Sequence, residues 1–272
     1  MIPTLSQVCC LNSRFDADIE DFAAGQCRSV EVWLTKLEDY LTRHSIAEVR
    51  EWLARFEVQT PVASYQGGLL ASQGDRRQEA WALFLRRLDL CRELKIGTLV
   101  VACDISPPLS AQTIERVQVS LVQVAQEAQR RGIRAALEFQ ANAAFGNNLQ
   151  TAAALVAEVK SPHLGLCLDV FHFCVGPSKL EDLVCLTREN LFHVQLCDVA
   201  DTPRELATDG DRILPGDGDF PLAPIIEHVQ RIGYAGPISL ELLNPRLWQV
   251  PPRQLGEIGM TALRKILGQA RM

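Results

Sequence analysis

Leu191-Phe-His-Val-Gln-Leu-Cys-Asp198 reads as a buried β-strand that carries two polar side chains on one face. His193 and Gln195 are two residues apart, so on a strand they share the side of Leu191, while Phe192, Val194 and Leu196 point the other way, toward covering helices. An imidazole or amide buried without a partner is costly, so this strand demands a ligand, a metal ion or polar groups from elsewhere in the chain.

Working outward, the same unit recurs along the sequence. Apolar runs at Leu5 to Leu11, Val30 to Leu34, Val58 to Ser64, Ile96 to Cys103, Ile133 to Phe139 and His163 to Val170 predict six strands before it, and Ile238 to Leu243 predicts an eighth. Helical spacing predicts helices between them, over Asp16 to Ala24, Leu37 to Leu41, Ile46 to Phe56, Asp75 to Leu94, Ser110 to Arg131, Asn148 to Lys160, Ser178 to Arg188, Pro221 to Ile232 and Arg253 to Leu267. Gly132 marks one helix end and Asn147-Asn148 the start of the next. Strands alternating with helices at roughly 30 residues per unit call for parallel pairing, since each crossover needs a helix. The expected fold is an α/β (β/α)8 TIM barrel, one domain spanning residues 1–272. A doubly wound open sheet would want Gly-x-Gly-x-x-Gly after the first strand, where the chain has Asn12-Ser13-Arg14-Phe15.

With 47% hydrophobic and 22% charged residues in 272, the composition is that of an ordinary globular protein with a sizeable core. A net charge of −6, with Lys and Arg scattered among acids, provides no footprint for a nucleic-acid backbone. No apolar run approaches the roughly 20 residues of a membrane span and the N-terminus lacks a basic-then-apolar leader, so neither nucleic acid nor membrane is an expected partner and the expected location is cytoplasmic. The nine cysteines have no framework spacing and read as reduced core residues.

In such a barrel, polar residues at the C-terminal ends of the strands converge where chemistry is found. Strands five to eight contribute Glu138, Asp169, Gln195 and Glu241, each at the end of an apolar run. Three converging carboxylates would raise one another's pKa, a conflict that a divalent cation removes. The oxygen-only set of three anions and one amide suits Mg²⁺ or Mn²⁺ better than Zn²⁺. The plainer alternative is that each acid caps the next helix or pairs with a Lys or Arg.

Leu137-Glu138-Phe139, Leu168-Asp169-Val170-Phe171-His172, His193-Val194-Gln195-Leu196-Cys197-Asp198, Leu214-Pro215-Gly216-Asp217-Gly218-Asp219 and Leu240-Glu241 together resemble the xylose isomerase-like barrel superfamily of sugar isomerases, epimerases and related lyases. The resemblance implies a divalent metal held by Glu138, Asp169, Gln195 and Glu241. It implies that Glu138 and Glu241 move protons from opposite faces of a polyhydroxylated carbonyl substrate through an enediolate, and that His172, in Asp-x-x-His, contacts substrate oxygen and shuttles a proton. Epimerases of the superfamily usually have His-x-His on strand seven, whereas Gln195 resembles the 3-dehydroshikimate dehydratase branch. His193, one layer deeper, suits support of a ligand. Arg212 and Arg204, on the long loop Asp201 to Phe220, could grip a carboxylate or phosphate, and Tyr65 with Gln66 could line the pocket.

The leading expectation is a metal-dependent isomerase or epimerase of a small sugar or polyol ketone; the alternative is a lyase of the dehydroshikimate dehydratase kind. An endonuclease IV-like DNA repair enzyme shares the barrel, but its three-zinc, His-rich site is at odds with five His and an acidic chain. A non-catalytic sugar-binding barrel is a fourth reading. Resembling enzymes are often dimers or tetramers, so a homo-oligomer is a further expectation, although no exposed apolar stripe in the sequence demands one.

Overall fold

The structure, a computed structural model, describes residues 1–269. Among them eight strands close into a barrel in chain order: β1 (Ile2–Ser6), β2 (Ser29–Trp33), β3 (Gln59–Gln66), β4 (Thr98–Cys103), β5 (Arg134–Phe139), β6 (Leu164–Asp169), β7 (Leu191–Leu196) and β8 (Pro237–Leu240). The helices are α1 (Phe15–Ala24), α2 (Leu34–Leu41), α3 (Ile46–Arg55), α4 (Gly74–Leu94), α5 (Ala111–Arg131), α6 (Leu149–Val159), α7 (Val170–Val175), α8 (Leu222–Arg231) and α9 (Pro252–Ile266). The (β/α)8 expectation is met. No helix among the described residues is long and apolar enough to cross a membrane.

The chain divides into two compact units, Met1–Val62 with Gln195 onward, and Ala63–Val194. In the first, β1 pairs in parallel with β2, ending at Ser6 opposite Glu31, and with β8, from Ile2 opposite Pro237 to Leu5 opposite Leu240. In the second, β5 lies between β4 and β6, with Glu138 level with Ala102 on one side and Cys167 on the other. Asp169 therefore stands two residues further along β6 than the neighbour of Glu138. The strands β4 and β6 are buried along their whole length, as the unbroken apolar runs required. Seven of the cysteines, including Cys103, Cys167 and Cys197, are buried free thiols within this core.

β8 stops at Leu240, short of the expected Leu243, and β3 runs on to Gln66; two further elements differ because a side chain takes over a backbone hydrogen bond. β1 begins at Ile2 and stops at Ser6, and Gln7–Cys10 wind into a 3-10 turn in place of a strand to Leu11. Gln7 turns inward: its Oε1 accepts from the Trp33 backbone N–H at 3.1 Å and its Nε2 donates to Asp18 at 3.1 Å. Beyond β6, the helix expected over Ser178 to Arg188 is a 3-10 turn at Leu180–Cys185, and α7 sits directly on the strand end. Asp169 nucleates α7 by accepting from Phe171 N at 2.8 Å, while Asn190 accepts from Thr187 N and donates to Cys185 O, holding the later residues in a turn.

The β2 to β3 connection contains two helices, one more than the repeat needs. The second, α3, opens with a Ser45/Glu48 capping box, so α2 is an insertion at the C-terminal end of β2. Its buried Lys36 is anchored by Asp18 of α1 at 2.7 Å and by the Cys10 carbonyl. Asp18 also accepts from Ser13 and Gln7. Burial pushes the Asp18 carboxyl up to about 6 against the pull of Lys36 and these donors. Lys36→Met is expected to destabilise the fold by about 2–3 kcal/mol, less than the usual cost of stranding a buried charge because Ser13 and Gln7 still donate. Loss of the cation raises the folded-state value of Asp18 further, so the penalty grows as pH rises through about 6, where the carboxyl must ionise, and shrinks in acid. Urea denaturation of both proteins at about pH 5 and about pH 8, below and above that value, measures it, and equal penalties at the two would refute it.

Candidate functional site

The apolar strands β5 and β6 bring their terminal acids to one place within the unit Ala63–Val194. Glu138, Asp169 and His172 are buried, and each offers a ligand atom, all within 4.8 Å of one another. The three come from a strand end, the next strand's end and the first turn of α7, so the Asp-x-x-His spacing is what returns the imidazole to the carboxylate. Asp169 divides its oxygens: Oδ1 caps α7, and Oδ2 lies 3.6 Å from His172 Nε2. The Ala141 backbone N–H points at His172 Nδ1 at 3.4 Å. A ring nitrogen that accepts leaves the proton on the other, so the neutral ring carries it on Nε2, toward Asp169. Glu138 accepts from the Gln140 amide at 3.1 Å. Buried carboxylates gathered this closely fit a divalent cation better than they fit one another.

The other unit assembles a chain of polar side chains. Gln195 Nε2 donates to Glu31 Oε1 at 3.0 Å and to Glu241 Oε1 at 2.8 Å. Arg212 Nη1 donates to Glu241 Oε2 at 3.0 Å, and its Nε and Nη2 hold Asp209 at 2.9 and 2.7 Å. Glu241 lies one residue past β8 but stays in register because its N–H donates to Leu196 O at 3.0 Å. Beside it, burial raises the Cys9 thiol well above its ordinary value, helped by Cys10 and by the charges of Glu241 and Glu31. The thiol is therefore protonated filler; its sulfur meets the Leu242 N–H and the Leu240 carbonyl.

Arg212 is delivered by the ordering of its loop. Asp198 exchanges backbone hydrogen bonds with Ile213, and its carboxylate accepts from Val199, Gly216 and Phe220 N–H groups at 2.9–3.0 Å. Gly216 takes φ +93° there, and a Cβ on Gly218 would collide with the Asp198 carboxylate, which accounts for the glycines of the Pro-Gly-Asp-Gly-Asp run. Read from sequence as a cation for substrate, Arg212 is 1% exposed and engaged with two carboxylates. Arg204 is exposed beside Glu205 at 3.4 Å. Gln66 is buried, donating to Gly67 O at 2.7 Å and accepting from Arg87 at 3.3 Å; Tyr65 is exposed, with its carbonyl held by Arg87. His193 is fully buried in mid-β7.

A cavity of about 740 Å³ opens between α2 and the segment after β1, lined by Phe15, Trp33, Lys36, Tyr40 and His44 among others. Trp33 is two residues beyond Glu31 on β2 and so shares its face, one layer nearer the strand's C-terminal end. The aromatic wall continues through Tyr40, stacked on His44 at 4.0 Å. Glu31, a lone acid within an apolar strand, is brought to Gln195 only by the closure of the barrel.

Residues 22–266 match the family model described as Xylose isomerase-like TIM barrel. The chain belongs to that family. Among curated relatives, the inosose isomerase of Bacillus velezensis is 26% identical over 225 residues, 80% of this chain and 79% of the relative. The 3-dehydroshikimate dehydratase of Pseudomonas putida is 26% identical over 272 residues, which cover 96% of this chain and 41% of that longer protein. Among solved structures, the IOLI protein with a binding zinc atom superposes with a TM-score of 0.92 at 22% identity over 100% of both chains, a likeness of fold. This xylose isomerase-like barrel is an enzyme, related to isomerases and dehydratases alike.

Proposed function

We propose that this barrel is a divalent-metal-dependent isomerase or epimerase of a small sugar or polyol ketone. The observation that carries the reading is the convergence of buried Glu138 and Asp169 at neighbouring strand ends of a barrel of this family, with His172 beside them, their polar atoms within 4.8 Å of one another. Glu138, Asp169, Gln195 and Glu241 would hold the cation, and their oxygen-only donor set favours Mg²⁺ or Mn²⁺. A cation bound there would supply Lewis-acid stabilisation for proton loss from the carbon between a substrate ketone and its neighbouring hydroxyl. Glu138 and Glu241 take and return that proton, and His172, its proton on Nε2, donates to a substrate oxygen. Return to the adjacent carbon isomerises the substrate, and return to the opposite face epimerises it.

A second reading, dehydration of the 3-dehydroshikimate type, is favoured by Gln195 and by the Pseudomonas putida relative. Loss of a β-hydroxyl after the same proton abstraction would produce it. Both are tested by incubating chelator-stripped protein, with and without added Mn²⁺, with ketoses, inososes and dehydroshikimate in deuterated water. The expected result is Mn²⁺-dependent deuterium incorporation into a ketose or inosose. Absorbance from protocatechuate would move the assignment to the dehydratase, and a protein that binds neither Mn²⁺ nor Mg²⁺ in calorimetry would sink both.

A further inference from the structure

We propose that Glu31 is a positioning residue that fixes which end of the Gln195 amide is offered to the cation; this rests on the metal reading above. A carboxamide has a donor end and an acceptor end of nearly equal size, and only the oxygen can ligate a hard cation. Gln195 Nε2 stands between Glu31 Oε1 at 3.0 Å and Glu241 Oε1 at 2.8 Å. Ionised carboxylates only accept, so the flipped amide would set oxygen against oxygen on both sides. The nitrogen must face the two acids and Oε1 must face away from them.

The two acceptors are not equivalent. Glu241 is itself a proposed ligand, already engaged by Arg212 through Oε2, so a cation would compete with the amide for its Oε1. Glu31 is the acceptor that remains. It is fully buried on β2, level with Ser6 at the end of the β1 pairing, so its backbone is held by the barrel. The arrangement is an acid-to-amide counterpart of the carboxylate that orients a metal-binding histidine.

The test is Mn²⁺ affinity, read by calorimetry on the full-length protein, in a double-mutant cycle. Glu31→Asp keeps the charge and withdraws the acceptor from Gln195, so it separates reach from charge. It is expected to weaken Mn²⁺ binding about 10–100-fold, and Glu31→Gln to do at least as much, with thermal midpoints near that of wild type. In a Gln195→Met background, a near isostere without the amide, the same Glu31 changes are expected to alter affinity less than about 3-fold, because the group they act through is gone. Additive losses would overturn the proposal and make Glu31 a ligand or a bulk charge, and Glu31→Asp at wild-type affinity would overturn it as well. Wild-type protein with no Mn²⁺ affinity would instead remove the metal reading on which the proposal rests, which keeps the two failures distinct. If Glu31→Gln does not fold, Glu31→Asp alone decides.

Discussion

Glu241→Gln is expected to lower turnover by about 10²–10⁴-fold, the range for a lost general acid or base, and to remove most Mn²⁺ affinity. The substitution is nearly isosteric, so its effect is chemical. Both oxygens of Glu241 accept hydrogen bonds, one from Gln195 and one from Arg212. An amide in their place sets its NH₂ against the donor of one neighbour or the other, and it has neither the charge to hold a cation nor the basicity to take a carbon-bound proton. Turnover and solvent deuterium exchange should fall together, since both depend on the same abstraction. Exchange within about 3-fold of wild type, a loss of under 1 kcal/mol, would show that Glu241 is neither base nor ligand.

Arg212→Met is expected to destabilise the fold by about 3–5 kcal/mol, the cost of leaving a buried charge without its partner. Glu241 is 5% exposed and Arg212 1%, so water cannot replace the guanidinium, and Asp209 loses two hydrogen bonds as well. Arg204→Ala, on the same loop but exposed, should change stability by no more than about 0.5 kcal/mol. Urea denaturation of the two variants beside wild type gives the contrast. Similar small losses for both would mean that Arg212 is a surface loop charge after all. Activity of Arg212→Met should fall too, because Glu241 would no longer be held in place.

The barrel was legible because its signal is local. A strand buried on both faces must be a short apolar run, and a polar residue at its end stands out, as Glu138, Asp169 and Gln195 do. Helix ends such as Ser110, whose hydroxyl accepts from Thr113 N, and Gly132 at φ +69° are equally local. What escaped was non-local. Arg212 reads as a loop cation because nothing near it in sequence shows that Asp198 clamps the loop and that Glu241 lies 29 positions ahead. Glu31 and Gln195 are 164 residues apart, and only closure of the barrel makes them neighbours. Gln7 ended β1 early by the same kind of long-range substitution, taking the Trp33 N–H that a longer strand would have used. The plain alternative for strand-end acids also proved partly right, since Asp169 caps a helix with one oxygen and Glu241 pairs with an arginine. Each does so while leaving its strand-end placement intact.

The chain from Glu31 through Gln195 and Glu241 to Arg212 and Asp209 gives every charged member a partner from the polypeptide itself. Proteins whose ligands repel one another until a metal arrives depend on that metal to assemble. Gln195 and Glu241 are instead held in place by neighbouring side chains of the chain itself. On the metal reading proposed above, this part of the ligand set would keep its shape without a cation, so a chelator would be expected to remove activity well before it removes the fold.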